Sequence, residues 1–309
     1  MSIKKVVSVS LGSPSGDKFV RATLLGQEFE ISRIGTNGDY AKFAELVREL
    51  DGNADAIGLG GIDLYLYAGN RRYTIRDAAK LASNAKITPV VDGSGIKNTI
   101  ERETIEYLQR EEIINFKEKR VLVVCGVDRF GMAESVARLA KSVVFGDLMF
   151  DVGVPHPIKS WLELKIIAKT FLPIVCKLPF KWLYPTGSDQ EKITPRHEEH
   201  FRQADIIAGD YKIIGRFMPP PESGALRGKT VITNTLTPAD IQNLRARGVE
   251  LLITSTKEFD GRTFATNVLE GIVITLAEKR PEEMTPSDYM DILGRMDWRP
   301  SIHRLLEPF

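Results

Sequence analysis

Short apolar runs alternate with amphipathic stretches along the whole chain. Val6–Leu11, Phe29–Ile34, Ala54–Leu59 and Thr88–Val91 are runs rich in β-branched or continuous apolar residues, and they predict strands. Between them, Tyr40–Leu50 places Phe43, Leu46, Val47 and Leu50 on one side of a helix that opens after Asp39 as its N-cap. Ile75–Ala85 predicts another helix and Leu64–Tyr67 a short antiparallel strand, while Thr99–Phe116 predicts a long helix rich in Glu and Arg.

The second half repeats the alternation. Val121–Val124 stops at Gly126, a helix opens near Gly131 with Met132, Val136, Leu139 and Ala140 on one face, and Val143–Phe145 ends in Gly146-Asp147. That strand–helix–strand unit has the length a right-handed parallel crossover needs. Asp205–Ala208, Lys229–Thr233 and Leu251–Thr254 predict further strands, and residues 158–171, 238–247, 266–277 and 286–296 predict helices. Prolines at 173, 179, 185 and 195 interrupt the stretch between.

The alternation predicts an α/β protein of two α/β domains, the second a Rossmann-like doubly wound, mostly parallel sheet. The expected division is a candidate substrate domain over 1–110 and a nucleotide-binding domain over 111–280. A C-terminal helix and tail over 281–309 would pack back on the first domain. A length of 309 residues, with 43% hydrophobic and 27% charged, is ample for two cores. The net charge of +1 gives no electrostatic case for nucleic acid.

Two cysteines, Cys125 and Cys176, both in apolar runs, make no disulfide framework. No run reaches the roughly 18 apolar residues of a membrane span, so a cytoplasmic protein acting on a small molecule is expected. The segment 161–184, with lysines spaced in fours among aromatics, is a candidate homodimer contact or a lid.

Candidate chemistry gathers at strand ends. Asp63, Asp92, Asp128, Asp147 and Asp210 each follow a predicted strand within two residues of a glycine. Ligands of open parallel sheets bind beyond the carboxyl ends of strands, although residues there also cap the next helix. The Gly126-x-x-x-x-Gly131 turn with Asp147 about 20 residues on sits where a dinucleotide fingerprint would. Its second glycine, however, is Asp128, whose carboxylate competes with a phosphate for the helix N-terminus unless Arg129, a cation or another pose compensates.

Asn234 and Thr235 follow another strand of the same domain. Arg262, Thr266 and Asn267 form a candidate anion loop at a helix start. In the first domain, Asp92, Lys97 and Asn98 join a carboxylate, an amine and a carboxamide ahead of a helix, a set able to relay a proton to or from a hydroxyl. The four histidines form no metal spacing, so no metal site is expected.

SVSLGS, IGLGGIDLYLYAG, TPVVDGSGIKNTIER, VDRFGMAE, VVFGDLMF, LYPTG, IIAGDY, ITNTLT and GRTFATNVLE together resemble bacterial proteins named quinate 5-dehydrogenase, over most of the chain. The resemblance implies an NAD- or NADP-dependent oxidoreductase acting on a small hydroxylated carboxylic acid. It pairs Lys97 with Asp92 or Asp63 at the substrate hydroxyl and sets Ser13 and Ser15 near the substrate carboxylate. Two rivals stand beside it: a Mg²⁺-dependent enzyme on a phosphorylated small molecule, and a non-catalytic nucleotide- or metabolite-binding protein.

Overall fold

In the computed structural model, residues 2–69, 71–179, 193–234, 236–256 and 265–306 are described, together with the backbone of 258–259 and 262–263. The chain divides into two compact units. One comprises Met1–Thr99, Phe171–Gly187 and Phe264–Trp298; the other comprises Ile100–Thr170, Ser188–Thr263 and Arg299–Phe309. Residues 264–298 thus group with the N-terminal segment rather than with the second sheet.

The first unit begins with β1 (Lys4–Ser10), whose last five residues are all buried, as a central strand requires. It continues through β2 (Lys18–Leu24), β3 (Gln27–Gly35), α1 (Tyr40–Leu50), β4 (Ala56–Gly60), β5 (Tyr65–Ala68), β6 (Arg71–Thr74), α2 (Arg76–Ala82) and β7 (Val90–Val91). The sheet order is β2-β3-β1-β4-β7, parallel except for β2. Asp39 caps α1 by accepting the N–H groups of Ala41 and Lys42, and Phe43 and Val47 bury its inner face. β5 and β6 form a separate hairpin.

Two features depart from the expected pattern. β2 alternates exposed and part-buried positions along an edge, so it lacks the continuous apolar run of the strands beside it. α3 (Ser94–Arg110) starts five residues before Thr99 and spans the boundary between the units. It ends at Arg110, short of Phe116, where Glu112 takes a left-handed conformation.

The second unit contains β8 (Arg120–Val123), α4 (Phe130–Leu139), β9 (Ser142–Phe145), the first ten residues of α5 (Trp161–Val175), α6 (Glu198–Gln203), β10 (Ile206–Ala208) and α7 (Tyr211–Phe217). β11 (Thr230–Thr233), α8 (Pro238–Ala246), β12 (Leu251–Thr254) and the short hairpin β13 (Glu258–Phe259) and β14 (Arg262–Thr263) follow. α9 (Thr266–Ala277) and α10 (Pro286–Arg295) belong to the first unit, and β15 (Ser301–Arg304) closes the second sheet. That sheet runs β15-β12-β11-β10-β8-β9, with only β15 antiparallel. β15 is polar and mostly exposed, so no apolar run marks it in the sequence.

Successive residues of its strands enter different cores. Leu122, Ile207, Val231 and Leu252 pack in one cluster; Val121, Val123, Ile206, Ala208, Ile232 and Ile253 pack in the other. Burial on both faces is what a doubly wound sheet demands. The chain passes from β8 through α4 to β9 and returns across β8 to β10, so the topological switch point lies between β8 and β10.

Of the 161–184 segment expected at a dimer contact, Leu162, Ile166, Phe171 and Ile174 are exposed, and 180–184 lie outside the described residues. No helix among the described residues is long and apolar enough to cross a membrane.

Gly146, between β9 and Asp147, shows how tightly the second sheet is packed. A Cβ there would lie 2.5 Å from Phe150 Cε2 and 2.9 Å from the Val124 carbonyl oxygen. Gly146→Ala is therefore expected to destabilise the protein by about 1–3 kcal/mol, read as a lowered urea midpoint.

Candidate functional site

In the first unit the carboxyl ends of β4 and β7 bring three predicted residues together. Asp92 follows β7 and is buried. Its Oδ2 accepts the N–H groups of Leu64 (2.6 Å) and Tyr65 (2.9 Å). Its Oδ1 accepts the N–H (3.0 Å) and hydroxyl (2.6 Å) of Ser94. Asp92 is thereby engaged in holding backbone, which leaves Asp63 as the partner of Lys97. Lys97, three residues into α3, is buried and sets its Nζ 3.5 Å from Asp63 Oδ1. The neighbouring Asn98 has a buried Oδ1 with no hydrogen-bond partner in the structure.

A residue absent from the sequence expectations sits behind this turn. Glu270, on α9, is buried, and its Oε2 accepts the Gly93 N–H (2.7 Å) while its Oε1 accepts the Tyr289 hydroxyl of α10 (2.6 Å). Burial, reinforced by the charge of Asp92, pushes the Glu270 carboxyl up to about 7. Burial likewise raises the Tyr289 hydroxyl, and Glu270 adds to the effect. The one sequence signal for Glu270 is a lone acid within the apolar run TNVLEGIVITLA.

The other predicted residues of this unit serve the fold. Ser13 caps a short turn by accepting the Ser15 N–H (3.1 Å) and hydroxyl (2.9 Å), and both serines are exposed. Asn267 Nδ2 donates to the Ser8 hydroxyl (2.7 Å). Thr266 and Asn267 press on Gly93, whose φ of +89° and crowded Cβ position, 2.7 Å from both Asn267 N and Thr266 Oγ1, admit only glycine. Gly261 and the side chain of Arg262 lie outside the described residues.

In the second unit the switch point is filled by the chain itself. Asp147 Oδ2 accepts the Gly126 N–H (3.0 Å) and its Oδ1 the Val127 N–H (2.7 Å). Burial raises the Asp147 carboxyl to about 6 against those two bonds. Arg129 is buried, pairs with Glu101 and Asp210, and has its Nε 3.0 Å from Asp128 Oδ2. Burial opposes its charge, but Glu101, Asp210 and Asp128 outweigh it and hold the guanidinium protonated.

Asp210 also caps α7 through the Lys212 N–H (2.7 Å) and accepts Asn234 Nδ2 (3.0 Å). Asn234 Oδ1 in turn accepts the Tyr211 N–H (3.1 Å). Gly131 is buried within α4, and Thr235 lies outside the described residues. No group of three or more His, Cys, Asp or Glu side chains among the described residues is disposed to hold a metal ion.

Residues 95–305 match the family model described as Domain of unknown function (DUF8754), more than half of the 309-residue chain. The chain belongs to the DUF8754 family. Residues 5–92 match a second model, Domain of unknown function (DUF8753), so the two matches meet at the Asp92–Gly95 turn. No curated protein matches the chain.

Among solved structures the chain is similar to a hetero-hexameric glutamate dehydrogenase from Thermus thermophilus, at 13% identity and a TM-score of 0.42, over 96% of this chain and 73% of that one. An NAD-dependent malic enzyme from Thermotoga maritima is 13% identical with a TM-score of 0.36, over 95% and 84%. An ABC transporter periplasmic solute binding protein from Actinobacillus succinogenes, with bound D-allose, is 11% identical with a TM-score of 0.38, over 98% and 98%. Likenesses this low carry no functional assignment.

A dinucleotide bound in the fingerprint pose would need the N–H groups of the β8–α4 turn and a glycine open to its pyrophosphate. In this DUF8754 protein those N–H groups of Gly126 and Val127 already serve Asp147. A Cβ on Gly126 would meet Leu164 Cδ2 at 2.9 Å and Phe145 Cδ1 at 3.0 Å, so that glycine is required by internal packing. Arg129, the cation able to compensate Asp128, is committed to three carboxylates. The residues present do not fit a pyrophosphate at this turn.

Two outcomes follow from these networks. Arg129→Met removes the buried guanidinium from among Glu101, Asp128 and Asp210, and a loss of about 3–5 kcal/mol is expected in urea denaturation of the intact chain. For Glu270, a folded-state value near 7 against an ordinary 4.5 means that its contribution is complete at acid pH and is lost as pH rises through about 7. Relative to Glu270→Gln, the wild type is expected to lose about 3 kcal/mol between roughly pH 4.5 and 8. Parallel stability–pH curves for the two proteins would refute this.

Proposed function

We propose that the protein binds a small hydroxylated carboxylic acid at Lys97 and Asp63 and exchanges a proton with its hydroxyl. The quinate/shikimate-type oxidoreductases that the sequence resembles act on acids of this class, and the hydride removed with that proton would need a nicotinamide bound in a pose other than the β8–α4 fingerprint one. The observation that carries this reading is the Lys97–Asp63 pair, an ammonium and a carboxylate 3.5 Å apart with Lys97 buried at the end of the first sheet. In this reading a proton passes between the substrate hydroxyl oxygen and Lys97 Nζ, and the Asp63 carboxylate stabilises the ammonium form. The unpartnered Oδ1 of Asn98, one residue along α3, supports a hydroxyl-bearing ligand as its donor.

A second reading, a metabolite-binding protein without turnover, is favoured by the closed β8–α4 turn, where Asp147 holds the N–H groups that a cofactor phosphate would use. Calorimetric titration of the full chain with quinate, shikimate, NAD and NADP separates the two, alongside a turnover assay monitoring reduced nicotinamide. The first reading expects turnover that Lys97→Met lowers by about 10²–10⁴-fold and Asp63→Asn also lowers. Acid binding that Lys97→Met abolishes, with no nicotinamide heat and no turnover, establishes the second. No heat with any acid removes both.

A further inference from the structure

We infer that Glu270, braced by Tyr289, is a positioning residue that seats the first turn of α3 and so holds Lys97 against Asp63. The inference rests on the reading of Lys97 and Asp63 as the working pair. Glu270 comes from α9, far along the chain, yet its carboxyl takes the N–H of Gly93 at 2.7 Å, the residue that opens the turn leading into Lys97. The Lys97 N–H donates to the Gly93 carbonyl at 2.8 Å, so Glu270 and Lys97 hold the two peptide groups that flank one residue, Gly93.

Asp92 holds the other side of the same turn. It ties Ser94 to Leu64 and Tyr65, the residues that follow Asp63. The two carboxyls therefore clamp both ends of the path that joins Lys97 to Asp63. Gly95 completes the geometry, since a Cβ there would lie 2.6 Å from the Tyr289 hydroxyl. The first turn of α3 can sit on the Glu270–Tyr289 pair only because that position carries no side chain.

A carboxylate at this helix start strengthens its N–H bonds when ionised and relaxes them when protonated. The groups that face Glu270 are Asp92 from the β7–α3 link, Tyr65 and Tyr67 from β5 and Tyr289 from α10. Among them Asp92 is the one carboxylic acid, and its negative charge opposes ionisation of Glu270. The seat of Lys97 is consequently tighter above about pH 7 than below it.

The test is amine labelling of the full chain with an acetylating N-hydroxysuccinimide ester between roughly pH 6 and 8.5, quantified residue by residue by mass spectrometry. Lys80, with a side chain 69% exposed in the same unit, is the internal reference. In the wild type the Lys97-to-Lys80 ratio is expected to fall by about threefold as pH rises through about 7, the size of a charge's effect at a helix N-terminus. Glu270→Gln should remove that inflection. Tyr289→Phe, which deletes one donor to the carboxylate, should move it to higher pH, and it serves as the readout if Glu270→Gln does not fold.

A purely structural Glu270 would change stability and leave the normalised profile of Lys97 as it is in the wild type, and that result overturns the inference. No substrate enters the measurement. Absence of turnover in the assay above leaves a pH-dependent seat standing, and a flat wild-type profile overturns the seat without touching the reading of Lys97 as acid–base group.

Discussion

Buried carboxylates that accept backbone N–H groups fix the geometry of both units. Taking a carboxylate out of water is costly, and the cost is met only where several donors converge on it. Asp92 has four such donors, from Leu64, Tyr65 and Ser94. It consequently joins the segment after β4 to the start of α3 more firmly than apolar contact alone would. Asp63 and Lys97 lie on opposite sides of that joint, and their 3.5 Å separation follows from it. The chemistry attributed to the pair depends on a residue that takes no part in it.

The same device closes the second unit. Two consecutive N–H groups at the end of a parallel strand make an anion site, and a dinucleotide-binding protein leaves it for phosphate. Here Asp147 fills it from the adjacent strand. Around the helix start that follows, Glu101, Asp128 and Asp210 surround one guanidinium, so the fixed charge at the switch point is negative and opposes a further anion. Strand order and crossovers therefore reproduce a nucleotide-binding architecture while the side chains at its switch point are occupied with each other. Architecture and ligand are separable properties of this fold.

Much of the architecture could be read from the chain. The buried strands β1, β4, β8, β10, β11 and β12 announced themselves because a two-sided core needs uninterrupted apolar runs. Two edge strands did not: β2 and β15 are half-exposed and polar, and their place is set by pairing with a neighbour instead of by their own composition. The start of α3 was hidden for another reason. Gly93 and Gly95 look like helix breakers, but both are demanded by close approach of α9 and α10, which no local pattern records.

At the site, residue types were visible and roles were not. An aspartate after a strand looks the same whether it meets a ligand or caps a helix, and Asp92, Asp147 and Asp210 all turn out to be engaged with backbone or side chains of the chain itself. Glu270 escaped notice because its partners lie 177 and 19 residues away, at Gly93 and Tyr289.

The Asp92–Glu270 arrangement has an internal tension that explains why both acids are tolerated. Two ionised carboxylates clamping one turn repel each other in a medium that screens poorly, yet each accepts N–H groups that the turn must satisfy. The conflict is eased if only one of them need be charged. Asp92 has four donors, while Glu270 shares its hydrogen bonds with a hydroxyl that can donate to a carboxylate or, more weakly, to a carboxylic acid carbonyl. Tyr289 thus lets Glu270 keep its place in either protonation state, which a cationic partner would not. A fold that needs a firm turn under Lys97 but cannot bury two negative charges there at little cost has, in a carboxyl held by a tyrosine, a group that stays bonded while its charge varies.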